Sequence, residues 1–212
     1  MFILKIILAL AAGYLLGSLN TSVIVGKIYG KDIREHGSKG AGLTNALRVL
    51  GKPAAAIVLA GDVLKGVAAC LFGLALDAGF YTGDATICLL AAGAAAVIGH
   101  NWPLYFGFKV GKGVLTAVAV LFMADWLMAL ICLSFFAVIV ALTRYVSLGS
   151  ICAALLFAVI AFIPLFGGGA FLGVFACVIA ALIIFRHRAN IKRLLSGTEN
   201  KLIFKKGGQT AS

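Results

Sequence analysis

Charge is scarce in this chain. Only 12% of its 212 residues are charged, and just seven are Asp or Glu. A soluble domain carries about 25% charged and about 45–50% apolar residues. This chain is 63% hydrophobic, which excludes an ordinary soluble domain. Paired cysteine motifs are missing as well. Cys70, Cys88, Cys132, Cys152 and Cys177 all fall inside apolar runs, are odd in number and form no CxxC pair. That pattern supports neither a disulfide framework nor a metal site, and the five are read as small packing residues. No small-residue cleavage pattern follows the first apolar run, so it is read as a retained helix rather than a cleaved signal peptide.

What the sequence does have is apolar runs of 17 or more residues from end to end, the signature of transmembrane helices. Clear spans lie at about 4–26, 54–76, 85–101, 148–165 and 170–186. Residues 114–143 form a longer apolar stretch interrupted by Asp125 and Trp126. As one helix it would run about 45 Å, beyond a hydrocarbon core of roughly 30 Å. Charge decides for two helices, 114–124 and 126–143. With seven spans, one face collects loops 27–53, 102–113, 144–147 and 187–212. That face, with Arg186 at the exit of the last span, holds all 18 basic residues except Lys5 and Lys65. The opposite turns hold Asp77, Asp84 and Asp125. The expected fold is therefore all-α, a single seven-helix membrane domain over 1–212, with its N-terminus outside and C-terminus cytoplasmic. The net charge of +11 is this positive-inside bias, and no nucleic acid is expected. The short fourth helix is tilted or shielded within the bundle.

Every unusual polar stretch lands on the basic face. The first, "KDIREHGSKGAGLTNALRVLGK" (31–52), has Gly37, Gly40 and Gly42 to free the backbone for φ > 0, and Ser38, Thr44 and Asn45 as short donors. Such a loop forms an anion-holding concavity. A helix over 43–50 places Thr44 and Arg48 on one side. The plain alternative is a solvated loop. In "GDVLKG" (61–66), Asp62 and Lys65 are i,i+3 neighbours inside a span. They form either a functional intramembrane pair or a self-neutralising one.

The stretch "GHNWPLYFGFKVGKGVLT" (99–116) is not a P-loop: Gly107 is one residue too close to Gly111, and Gly113 replaces the hydroxyl that would hold Mg²⁺. Yet Gly111, Lys112 and Gly113 open into a helix starting near Val114, where free N–H groups, a helix dipole and an ammonium converge. "GAGLT" and "GKGVLT" echo each other, suggesting two phosphate groups side by side. "RYVSLGS" (144–150) contributes Ser147. In "RHRANIKRLLSGTENK" (186–201), His187, Asn190 and Arg193 recur at helical spacing; head-group anchoring is the plain reading of its Arg and Lys residues. Gly13 and Gly17 form a GxxxG that lets two helices approach closely.

These stretches, in this order across residues 17–199, resemble the bacterial acyl-phosphate:glycerol-3-phosphate acyltransferases. The motifs shared are "DIREHGS…G.TN.LR..GK", "D.LKG", "GHNWP…F..GKGV.T", "TRYVS" and "RHR.NI.RLL.GTE". The resemblance implies a seven-helix enzyme of the bacterial inner membrane, with its active site on the cytoplasmic face. It implies transfer of a fatty acyl group from acyl phosphate to the 1-hydroxyl of glycerol 3-phosphate, giving lysophosphatidate and phosphate. No cofactor, metal or obligatory protein partner is implied, and membrane lipid is the setting.

By matched position, Thr44, Gly111, Lys112, Gly113 and Ser147 hold the acyl phosphate. Ser38, Arg48, His187 and Asn190 hold glycerol 3-phosphate, and Lys112 touches both. Lys112, His187 and Ser38 are the candidate catalytic residues, with His187 or a substrate phosphate oxygen as base. The chain departs from the family pattern at Lys39, Gly40 and Leu43 in the first loop and at Val110 and Leu115 in the second; a β-branched Val110 resists φ > 0. An acyltransferase of the H-x₄-D type is excluded, because Ala41, Tyr105 and Lys192 stand where the Asp should follow His36, His100 and His187. The competing reading is a transporter or channel for a phosphorylated metabolite, disfavoured because the polar groups cluster on one face.

Overall fold

A computed structural model describes residues 2–77, 87–108, 111–166 and 168–202. Among them every regular element is helical. Asp84, Lys109, Val110 and the first two residues of the 85–101 span lie outside the described residues.

Helix α1 (Phe2–Gly17) packs along α5 (Ile87–Asn101) through small residues. A Cβ on Gly13 or Gly17 would overlap the backbone of Ala92 or Ala96, so the GxxxG brings two helices together inside the molecule. The first span, expected over 4–26, lies within one candidate crossing, Phe2–Ile28, whose helix is interrupted. It breaks at residues 18–20, where the buried Asn20 side chain accepts from the Val23 amide and caps α2 (Thr21–Ile28). Three buried polar residues, Ser18, Asn20 and Ser22, make that break local and hydrogen-bonded. After the short α3 (Leu43–Val49), α4 (Lys52–Asp77) runs 26 residues beside α1 and α5.

The stretch 114–143 is two helices, α6 (Val114–Ala124) and α7 (Trp126–Thr143). Asp125 between them is extended, and its side chain accepts from the Met128 amide at 2.8 Å, as an N-cap should. The 11-residue α6 lies between α4, α5 and α7 with Ala119, Val120 and Leu121 buried, which shields it from lipid. Helices α8 (Val146–Ile160) and α9 (Ala170–Arg186) complete the bundle around Met128, Phe157, Ile160 and Ala176. Helix α8 ends five residues before the expected 165, because Pro164 opens a 3₁₀ turn there. At His187 the chain bends by 60° into α10 (Arg188–Leu195).

Large apolar residues such as Ile3, Leu142, Leu165 and Phe171 face outward, as on a lipid-facing surface. Among the described residues four stretches are long and apolar enough to cross a membrane, Phe2–Ile28, Lys52–Asp77, Ile87–Phe106 and Trp126–Thr143, or five if α9 and α10 form one bent span; α6 and α8 are shorter apolar helices.

Candidate active site

The first polar loop is wound around one side chain. Asn45 Nδ2 donates to the carbonyls of Ile33, His36 and Gly40 at 2.9–3.0 Å, and its Oδ1 accepts from the Ser38 amide at 2.9 Å. Gly37 is left-handed (φ 59), and a Cβ there would run into Asn45 Oδ1. The sequence expectation of positive φ holds at Gly37 but not at Gly40 or Gly42; the other left-handed residues of the stretch are Lys39 (φ 56) and Gly51 (φ 86). A lysine in left-handed backbone meets a cost of roughly 1–2 kcal/mol that glycine would not. Nearby, Asp32 grips Arg34 at 2.6 Å, and that hydrogen bond pulls the Asp32 carboxyl down to about 2. Arg34 also reaches the Phe106 carbonyl at 3.4 Å, tying the first loop to the second. Helix α3 then presents Thr44 and Arg48.

The second loop ends at Gly113 (φ 71), the N-cap of α6, with no side chain capping the helix. A Cβ there would press on Val97 and Asn101. The first N–H groups of α6 are therefore open to a ligand. Gly111 is clamped. Its carbonyl accepts from Arg186 Nε at 2.8 Å, and a Cβ on it would overlap the His100 ring. The Arg186 guanidinium lies 5.2 Å from the Trp102 ring centroid, a cation–π distance.

These elements meet at one end of the bundle around a cavity of about 220 Å³. Ser38, Thr44, Arg48, Lys112, Gly113, Ser147, His187 and Asn190 all line it. Gly111 does not; it lies behind the wall, against His100. Val114, Leu115, Phe136 and Ser150 are shared with an apolar cleft of about 120 Å³ between α6, α7, α8 and α9.

The electrostatics are those of an anion site. Burial lowers the Lys112 pKa to about 8, and Arg193, Arg48 and Arg186 push the same way against Glu199. Burial likewise lowers His187 to about 4, with Lys112 adding to it. His187 Nδ1 lies 2.8 Å from the Ile183 carbonyl, which can only accept. Nδ1 therefore carries the hydrogen, and Nε2 is left to accept.

Sequence reasoning missed Glu199. Its carboxylate accepts from Ser147 Oγ (2.8 Å), Asn190 Nδ2 (2.7 Å) and Arg193 Nε (2.7 Å). Burial works to raise its pKa, but those three hydrogen bonds outweigh it and lower the value. Arg193 thus lies off the cavity lining, hydrogen-bonded to Glu199 and acting on Lys112 through its charge. The signal available was that Glu199 is the one acidic residue in 186–201. The strap it anchors continues to Leu202, whose amide donates to the Arg144 carbonyl at 2.8 Å. His100 and Asp62 also reach the cavity wall.

An all-helical, lipid-facing bundle with a basic, anion-shaped pocket at one end defines the class of integral-membrane proteins acting on phosphorylated substrates. Comparison with known proteins narrows it. The family model "Glycerol-3-phosphate acyltransferase" matches residues 7–197. The glycerol-3-phosphate acyltransferase of Thermoanaerobacter pseudethanolicus is 45% identical over 197 residues, covering 92% of this chain and 95% of the relative. That of Clostridioides difficile is 45% identical over 212 residues, covering 95% and 97%. The crystal structure of PlsY (YgiH), an integral membrane glycerol 3-phosphate acyltransferase, in its glycerol 3-phosphate form superposes with a TM-score of 0.84 at 38% identity, covering 93% of this chain and 95% of that one. Its lysophosphatidic acid form gives 0.81, also at 38% identity, covering 92% and 94%. The chain belongs to the glycerol-3-phosphate acyltransferase family.

Proposed function

We propose that this chain, a single domain over 1–212, transfers a fatty acyl group from acyl phosphate to the 1-hydroxyl of glycerol 3-phosphate. The products are 1-acyl-glycerol 3-phosphate (lysophosphatidate) and phosphate. The observation that carries the reading is the convergence of five separate sequence stretches on one basic cavity that opens into an apolar cleft. A phosphate head and a hydrocarbon tail on one donor need that pairing. The forms in which the related PlsY was crystallised, with glycerol 3-phosphate and with lysophosphatidic acid, match the acceptor and the product.

In this account Thr44, Lys112, Gly113, Ser147 and the open N-terminus of α6 hold the acyl-phosphate head, with Gly111 shaping the loop from behind. Ser38, Arg48, His187 and Asn190 hold glycerol 3-phosphate, and Lys112 lies between the two anions. The 1-hydroxyl oxygen bonds to the acyl carbon, and the bond from that carbon to the phosphate oxygen breaks. An acyl phosphate is already activated, so alignment and charge stabilisation carry the catalysis. Lys112 and the α6 N–H groups take up charge on the leaving phosphate. His187, neutral because its pKa is near 4, accepts a hydrogen bond from the hydroxyl and orients it. A phosphate oxygen, with a second pKa of about 6, is the better base and receives the proton.

Seven crossings with the N-terminus outside would put this site at the cytoplasmic face of a bacterial inner membrane, as the basic loops favour. Purified protein given palmitoyl phosphate and glycerol 3-phosphate should yield 1-palmitoyl-glycerol 3-phosphate by mass spectrometry, and none with palmitoyl-CoA. Product from palmitoyl-CoA alone would overturn the donor assignment.

A further inference from the structure

Beside the pocket lies a buried polar cluster that the mechanism above leaves unused. Lys65 on α4 is 6% exposed, and its Nζ has three close partners. They are the Leu19 carbonyl at 3.0 Å, His100 Nδ1 at 2.8 Å and Asp62 Oδ1 at 2.8 Å. An ammonium has N–H groups and no lone pair, so it donates to the Leu19 carbonyl and His100 Nδ1 and pairs by charge with Asp62. His100 Nδ1 must then accept, which fixes the imidazole as the neutral tautomer with hydrogen on Nε2. Asp62 Oδ1 stands only 3.7 Å from the same Nδ1, a carboxylate facing a lone pair, tolerable because the ammonium lies close to both.

The opposite edge of the ring does something different. His100 Nε2 and Cδ2 are the atoms a Cβ on Gly111 would overlap, and His100 and Asp62 both line the cavity beside Lys112 and Gly113. Helix packing alone would be served as well by apolar residues, since a buried ion pair rarely gains over them. A neutral donor, by contrast, suits this place. Lys112 already sits among Arg48, Arg186 and Arg193, so another cation would be costly before substrate binds.

We propose that His100 is a further catalytic residue: its Nε2–H, held in one tautomer by Lys65, donates to an oxygen of the bound acyl phosphate. Lys65, itself held by Asp62 and the Leu19 carbonyl, is the positioning residue. The identity of the donor rests on the function proposed above; the tautomer and the contact with a phosphate do not.

The first test reads the native protein labelled with ¹⁵N-histidine in nanodiscs. It carries three histidines, and His100→Gln serves only to assign the signals. At pH 7 His100 should show a bare Nδ1 and a protonated Nε2, and inorganic phosphate should shift the Nε2 signal saturably. A protonated Nδ1, or an Nε2 signal unmoved by phosphate, overturns the proposal.

Kinetics supply the second arm. His100→Phe should lower kcat/KM for palmitoyl phosphate by about ten- to a hundredfold, the range for one lost donor to charge, with KM for glycerol 3-phosphate within about twofold. His100→Gln, which returns an N–H near the same place, should recover most of the loss. Equal loss in the two variants, with both melting normally, would make the role structural and sink the idea. Failure of the acyltransferase reading would look different: no turnover in the wild type beside an intact phosphate-dependent shift.

Discussion

Lys112 makes binding depend on pH in a way that can be worked out before any experiment. Burial holds its pKa at about 8 instead of 10.5, so burial favours the neutral amine above that value. The ammonium fraction falls from about nine in ten at pH 7 to about one in ten at pH 9. A phosphate monoester, with a second pKa of about 6, changes little over that range. If glycerol 3-phosphate binds the charged form, its apparent Kd should rise about tenfold between pH 7 and 9, with proton uptake on binding. The sign for the unliganded fold is opposite. Between about 8 and 10.5 the unfolded chain binds more protons at this lysine than the folded one, so Lys112's contribution to stability rises with pH there. Thermal melts at several pH values, with and without glycerol 3-phosphate, separate the two slopes. In Lys112→Arg, charged throughout, the ligand-induced rise in Tm should no longer decline between pH 7 and 9. A wild-type Tm shift independent of pH, or the same decline in Lys112→Arg, would refute the reasoning.

Three further outcomes follow from the geometry. Glu199→Gln removes the charge that gathers Ser147, Asn190 and Arg193, so melts should show a loss of about 1.5–3 kcal/mol and KM for glycerol 3-phosphate should rise. Because the Glu199 pKa is lowered in the fold, its stabilisation is present above the unfolded carboxyl value and lost as pH falls through the folded one, so the difference between wild type and variant should vanish in acid. Asn45→Ala deletes the hydrogen bonds that hold residues 33–40; trypsin should cut at Lys39 faster, and stability should fall by about 2–4 kcal/mol. Gly113→Ala forces a Cβ into left-handed backbone and onto Val97 and Asn101, so calorimetry should show phosphate binding weakened at least tenfold while the helical circular dichroism is kept.

Much of this was legible because membranes punish misplaced polarity. Asp125, a lone acid in thirty apolar residues, divided α6 from α7 correctly, since an N-cap at that point satisfies amides a continuous helix would not expose. The GxxxG at Gly13 and Gly17 was readable for the same reason, as close approach needs small residues. The break at Asn20 was not, because Ser18 and Asn20 pass for tolerated polar residues until the cap is seen. The early end of α8 was signalled by Pro164 but overridden by hydropathy. In the site, glycine pairs and basic residues announced an anion nest, yet which residues carry positive φ depended on how the loop closes around Asn45, and so fell to Lys39. Glu199 was hidden in a segment whose other charges read as head-group anchors; only folding brings residues 147, 190 and 199 together.

The central claim is that one pocket joins an acyl phosphate to glycerol 3-phosphate through Lys112. The most direct measurement is phosphate release from palmitoyl phosphate by the purified protein, with and without glycerol 3-phosphate, in wild type and Lys112→Ala. The account predicts release that requires the acceptor, equals lysophosphatidate formed mole for mole, and is lost in the variant. Release indifferent to the acceptor, or undiminished in Lys112→Ala, would contradict it.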